Sequence, residues 1–95
     1  MEGLCLATRA IIESETKVGY MFREKPDFDE DTGWRFFTGE ESLDFIDDDD
    51  NIEVYEVSQI LKKDESIREY LESPVGTEWE KDQASSKFNS IKSDG

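Results

Sequence analysis

The sequence predicts an α+β domain: a small, mainly antiparallel sheet of about five strands with two to three short helices packed on it. Three observations carry that expectation. The chain has 95 residues, enough for one core and too few for two. Hydrophobic residues make up 35% of it and aromatics 12%, so an acidic composition still holds what a packed interior needs. Apolar residues repeat at every second position in some stretches and at every third or fourth in others, the marks of strand and helix alternating along one chain.

The elements follow in order. Gly3–Ala7 (GLCLA) reads as a buried strand, and Thr8 caps a brief helical turn over Arg9–Glu13 that faces Ile11 and Ile12 inward. In KVGYMFR, Val18, Tyr20 and Phe22 fall on one face and Gly19, Met21 and Arg23 on the other, a strand that Pro26 stops. An acidic loop over 27–33 leads into WRFF, the second arm of a long-looped hairpin. There Trp34 and Phe36 share one face, Arg35 and Phe37 the other, and one of these faces is expected to be open. Thr38 and Glu41 form a T-x-x-E capping box for a helix over Glu40–Ile46. Asp47–Asp50 would crowd the negative end of that helix's dipole and is read as a loop. Ile52–Val57 is the next strand, with Ile52 and Val54 packed and Tyr55 or Val57 as further inward positions. Ser58 starts a helix to Lys63, and Asp64 caps a second that lines up Ile67, Tyr70 and Leu71. Ser73–Pro74 ends it, and VGTEWE forms the last strand with Val75, Thr77 and Trp79 together. The domain is placed at 1–81, with 82–95 a polar tail, loose or marginally helical and pinned by Phe88 and Ile91.

The net charge of −14 is concentrated. Residues 27–56 hold thirteen acids against Arg35 alone, so 12 of the 14 excess negative charges lie in thirty residues. Such a field repels phosphate backbones and anionic lipid, which argues against direct nucleic-acid binding and against a membrane surface. Its complement is a cationic protein surface. Acidity that serves solubility alone is the plainer alternative. No apolar run approaches the ~20 residues that span a bilayer. Cys5, the sole cysteine, sits in the apolar run LCLA, so a buried inert thiol is expected and no internal disulfide is available, in keeping with a cytoplasmic setting.

Chemistry is poorly served by these residues. Asp27, Asp29 and Asp31 open like an EF-hand loop, but the sixth position is Thr32 instead of glycine and the twelfth is Thr38 instead of glutamate. A weak calcium site is the most that pattern supports. The chain has no histidine, which removes the usual general base and every Ser-His or Cys-His nucleophile. Glycines 33, 39 and 76 are isolated turn residues and make no phosphate cradle. No catalytic residue, metal site or cofactor is expected.

The blocks KVGYMFRE, DTGWRFFTGEE, LDFIDDDDNIEVYEV and YLESPVGTEWEK together resemble a bacterial family, long catalogued as of unknown function and now grouped as immunity-protein-33-like. The resemblance runs from about Gly3 to Lys81. It implies an intracellular, non-enzymatic α+β protein, some of whose relatives are encoded beside bacterial toxins and block the toxin in the producing cell. The matching positions are Gly33, Trp34, Arg35, Gly39, Glu41, Pro74, Gly76 and Trp79, and several read as fold makers: glycines for turns, Pro74 for a helix end, Glu41 for a cap. The acidic loops around them are therefore the better binding candidates.

The expected partner is a cognate basic toxin domain, a nuclease being one class that fits, and the expected partner-binding set is Asp27, Asp29, Glu30, Asp31, Trp34, Arg35, Phe37, Asp47, Asp48, Asp49 and Asp50. The carboxylates would steer, and Trp34 or Phe37 would anchor at the centre. Arg35, lone among thirteen acids, is read first as a pin between carboxylates and second as a contact. A stand-alone interaction module and a weakly calcium-responsive domain are the alternatives.

Overall fold

The computed structural model describes residues 3–39, 51–82 and 87–90. In these residues, six strands form one mixed sheet: β1 (Leu4–Thr8), β2 (Tyr20–Arg23), β3 (Asp31–Phe37), β4 (Ile52–Glu56), β5 (Glu78–Lys81) and β6 (Phe88–Ser90), in the spatial order β4-β1-β3-β2-β5-β6. Only β1 and β3 run parallel; every other pair is antiparallel. Helices α1 (Arg9–Glu13) and α2 (Val57–Lys63) and a 3-10 helix (Glu65–Tyr70) complete the α+β architecture, with one strand more than the sequence suggested.

Register decides which side chains meet. Met21 lies opposite both Phe36 and Trp79, and Cys5 opposite Tyr55, so one face of the sheet carries Cys5, Ala7, Met21, Trp34 and Phe36. These residues form a single core with Ile11, Val57, Ile60, Ile67 and Leu71 from the helices. Trp34 and Phe36 stack at 5.8 Å, and the Trp34 ring N–H donates to the Leu71 carbonyl at 3.0 Å, so the largest core residue leaves no polar atom unmet. The opposite face carries Tyr20, Phe22 and Phe37, whose rings lie 5.7–6.0 Å apart.

Several local expectations need correction. WRFF has no open face: all four residues are buried, because β3 is interior to the sheet and its side chains are covered on both sides. Val18 does not share the Tyr20–Phe22 face. The strand starts only at Tyr20, and the Val18 N–H is taken by the Asp64 carboxylate at 3.0 Å, which draws the side chain into the core. Val54 points outward with half its surface exposed, and Tyr55 packs inward in its place. The apolar pair Val54 and Ile52 is even-numbered, while the register with β1 turns the odd positions toward Cys5 and Ala7. Val57 is buried, but as the first residue of α2, where the Gln59 side chain accepts the Glu56 N–H at 2.9 Å. Thr8 stands at the start of α1 with no side-chain capping bond, its hydroxyl buried without a partner.

At the C-terminal end, residues 75–77 make a turn and the strand begins at Glu78. Part of the segment read as a tail is strand: Phe88–Ser90 pairs with β5, and Phe88 is buried against Tyr70 with ring centroids 5.2 Å apart. Three residues with one deep aromatic carry too little periodicity to be seen in the sequence. The helix expected at Glu40–Ile46, its capping box and the Asp47–Asp50 loop lie outside the described residues.

Candidate functional site

The loop joining β2 to β3 is built from below by a buried ion pair. Asp31, expected to be the last exposed acid of the loop, instead opens β3 with its carboxylate fully buried. The Arg35 guanidinium approaches it with two nitrogens, at 2.9 and 2.8 Å. The same carboxylate accepts the Asp27 N–H at 2.8 Å and the Gly33 N–H at 2.9 Å, so one side chain ties both ends of the loop. The Arg35 contact, helped by these N–H bonds and opposed by burial, holds the Asp31 carboxyl down at about 2. Burial lowers Arg35's own proton affinity, but Asp31 and Glu24 more than reverse that, and its pKa is raised. Glu24 adds a 2.6 Å contact to Arg35, and Asp27 lies 3.6 Å away. Three carboxylates therefore share one cation. Gly33 sits at φ +88, and a side chain there would run into the Glu24 carbonyl oxygen, so this crossing requires glycine.

Above this root, residues 24–30 are all exposed. The Asp31 N–H donates to the Phe28 carbonyl at 3.1 Å and the Leu4 N–H to the Glu30 carbonyl at 2.8 Å, which closes a tight turn and stitches it to β1. Glu30 adopts φ +67, a left-handed conformation uncommon outside glycine and asparagine. The turn is thus a fixed shape that carries Asp27, Asp29 and Glu30 on its surface.

The eleven residues expected to contact a partner separate into three groups. Asp27, Asp29 and Glu30 are exposed on one turn, Asp27 with 72% of its side chain accessible. Asp31, Trp34, Arg35 and Phe37 are buried, at 7%, 0%, 2% and 5% exposure, and serve as the support of that turn and of the sheet. Trp34 and Phe37 cannot anchor a partner from there, since their rings are committed to internal stacks. Asp47, Asp48, Asp49 and Asp50 lie outside the described residues. Sequence reasoning passed over Phe28, the one aromatic of the turn and 38% exposed. Its signal was present: a single ring flanked by Asp27, Asp29 and Glu30, with no alternating neighbours to take it into a strand.

A second turn reaches the same end of the sheet. β5 runs antiparallel to β2, with Phe22 opposite Glu78, so residues 74–77 lie beside the place where β2 gives way to the acidic loop. The Gly76 N–H donates to the Arg23 carbonyl at 2.7 Å and the Arg23 N–H to the Thr77 carbonyl at 3.0 Å. The Arg23 side chain then joins the two loops, donating to the Thr32 carbonyl and to the Ser73 carbonyl, both at 2.8 Å. Pro74, Val75 and Gly76 are exposed beyond it.

Elsewhere the reactive groups are drawn away from neutral chemistry. Burial pushes the Cys5 thiol up to about 12, and its Sγ sits 3.4 Å from the Tyr55 carbonyl as an ordinary interior contact. Burial and the Glu78 carboxylate push Tyr20 up to about 12 as well. A cleft of about 690 Å³ lies between the 16–19 segment and the 80–82 end of β5, with Lys17 and Lys81 on its wall. Both lysines are occupied, Lys17 on the Lys63 carbonyl at 2.7 Å and Lys81 on Asp64 at 2.9 Å. The buried Asp64 is itself held below the ordinary carboxylate range, because bonds from Ser66 and Lys81 outweigh burial. This cleft is braced by structural contacts. No helix among the described residues is long and apolar enough to cross a membrane.

Residues 5–92 match the family model for the immunity protein Imm33 domain, and the chain belongs to that family. The match extends past the segment 3–81 on which the resemblance was based and takes in β6. Comparison with curated proteins and with solved structures gives no match.

Proposed function

We propose, from membership of the Imm33 family, that this chain is a cytoplasmic, non-enzymatic immunity protein that neutralises a cognate toxin by docking an acidic surface on the toxin's cationic one. The observation that carries the reading is the extent of the family match, nearly the whole chain, which attaches an immunity role to the entire folded unit. The geometry supports the electrostatic half of it. Asp27, Asp29 and Glu30 stand exposed on a turn fixed by the Asp31–Arg35 pair, so ordering the loop costs little on binding. A nuclease suits such a surface, because a cleft that grips phosphates is cationic and an acidic loop seated in it excludes the substrate. The Asp47–Asp50 run belongs to the same proposal on its charge alone.

The test uses the purified chain and the active domain of a toxin encoded beside its gene. Inhibition near one-to-one stoichiometry is expected, with an association rate that falls steeply as salt is added. Neutralising the turn (Asp27→Asn, Asp29→Asn, Glu30→Gln) should slow association on the order of tenfold at low salt and change dissociation less. Unchanged association in that variant defeats the docking mechanism; a toxin that stays active in excess chain defeats the immunity reading.

A further inference from the structure

We propose that the docking surface is composite: the 24–30 turn and the 73–77 turn act together, with Phe28 and Val75 as its apolar contacts and a cationic protein surface as its occupant. This rests on the immunity reading and says which end of the molecule meets the partner.

Among the described residues, three large hydrophobic side chains are exposed: Phe28 at 38%, Val54 at 51% and Val75 at 53%. Two of these three come from turns 47 residues apart in sequence that the fold brings to one end of the sheet. They arrive there through built contacts, since Arg23 holds the root of one turn through Thr32 and the root of the other through Ser73. Phe28 and Val75 each leave a large apolar area in water, and apolar positions inside a polar rim are what an interface centre needs.

The rim fixes the chemistry of the occupant. Glu24, Asp27, Asp29 and Glu30 on the first turn and Glu72 just before the second are exposed, against Lys25 as the one exposed cation of these segments. A partner that meets this end must bring positive charge, with apolar recesses to accept a phenyl ring and an isopropyl group. The size also fits. The molecule measures 30 × 27 × 27 Å, and a standard interface takes roughly 800 Å² from each partner, about the area of one end. The first turn is held by main-chain bonds and an ion pair and the second by main-chain bonds and the Arg23 side chain, so the two apolar contacts keep a constant spacing, and spacing discriminates between partners of similar charge.

The experiment places a photo-reactive benzophenone side chain at position 28, 75 or 54 of the full chain in its producing cell, with adducts identified by mass spectrometry. Positions 28 and 75 should both cross-link to the same lysine- and arginine-rich polypeptide, and position 54 should not. Phe28→Asp should abolish the adduct at 75, because the two contacts belong to one surface. With the purified partner, Phe28→Ala should speed dissociation on the order of tenfold at a temperature where the variant is still fully folded by circular dichroism. Cross-linking through 54 alone, through only one of 28 and 75, or to an acidic protein or a second copy of this chain overturns the composite surface. So does the absence of any adduct in cells that the chain still protects from the toxin, a result that leaves the immunity reading standing. Loss of protection itself, with the native chain present, overturns both.

Discussion

The turn at Phe28–Asp31 and the turn at Pro74–Thr77 are built alike and held differently. Each closes with a bond from its fourth N–H to its first carbonyl, at 3.1 and 3.4 Å, and each puts its third residue at positive φ. In the second turn that residue is Gly76, for which the conformation is natural, and the turn rests on main-chain bonds to β2. In the first it is Glu30, a charged residue in a conformation that L side chains resist, and the turn rests on a buried carboxylate and a buried guanidinium. The lesson is about where strain and charge can be kept. An acidic side chain at a left-handed position holds only if the surrounding structure over-determines it, and the Asp31–Arg35 pair does that here.

The most severe way to break this comparison is Asp31→Asn. It keeps the shape but leaves Arg35 buried with weaker partners, and a stability loss of about 3 kcal/mol is expected from urea titration. A loss under ~1 kcal/mol would mean that Glu24 and Asp27 suffice to hold Arg35 and that the first turn needs no buried acid.

Next in size is the effect of pH. Asp31 has its pKa depressed from 3.8 to about 2 in the folded chain, so the folded state favours the carboxylate. The resulting stability, ~2 kcal/mol, is fully present above about pH 4 and drains away as pH falls through about 2. Because other acids titrate in the same range, the measurement is the difference between the parent chain and Asp31→Asn. That difference should shrink with acidification across this window. A pH-independent difference would assign the loss to shape and not to charge.

Smaller effects sharpen the contrast between the turns. Gly76→Ala meets no atom within 4 Å, so its cost is conformational alone, about 1 kcal/mol by thermal melting. Glu30→Gly relieves the left-handed glutamate and should gain roughly 0.5 kcal/mol in the same assay, while one charge of the docking surface is lost. If Glu30→Gly instead destabilises, the glutamate side chain contributes to holding the turn.

What could be read in the sequence depended on periodicity. β1, α1, the hairpin of β2 and β3, and the Ile67 and Leu71 face of the 3-10 helix follow from spacing of apolar residues, which burial enforces directly. The structural role of Arg35 was legible too, since a single cation among so many acids has few alternatives to pairing. The rest fails for identifiable reasons. Val54 and Tyr55 are both good strand residues, and only the register against β1 decides which one turns inward. Asp31 differs from Asp27 and Asp29 in opening the same strand as Arg35, four residues ahead of it, and no local rule announces that. Trp34 looked like an anchor because tryptophan serves interfaces and cores equally well; its place on an interior strand settled the matter. Phe28 is the complementary case, since a lone ring in an acidic run has no alternating apolar neighbours to set which way it faces.

The position of β1 has a consequence during synthesis. Its two neighbours are β3, which begins at Asp31, and β4, which does not end until Glu56. As the chain leaves the ribosome, Leu4, Cys5 and Leu6 emerge before either neighbour, and about fifty more residues, on the order of several seconds at ordinary elongation rates, must follow before both are available. Until β3 follows, the nascent segment has neither edge of this apolar strand paired, and until β4 follows it still has one open, a natural handle for chaperones and for mispairing with a second nascent copy. Native pairing then requires distant parts of the chain to meet, so folding in milliseconds to seconds is the expected pace for a protein of this size.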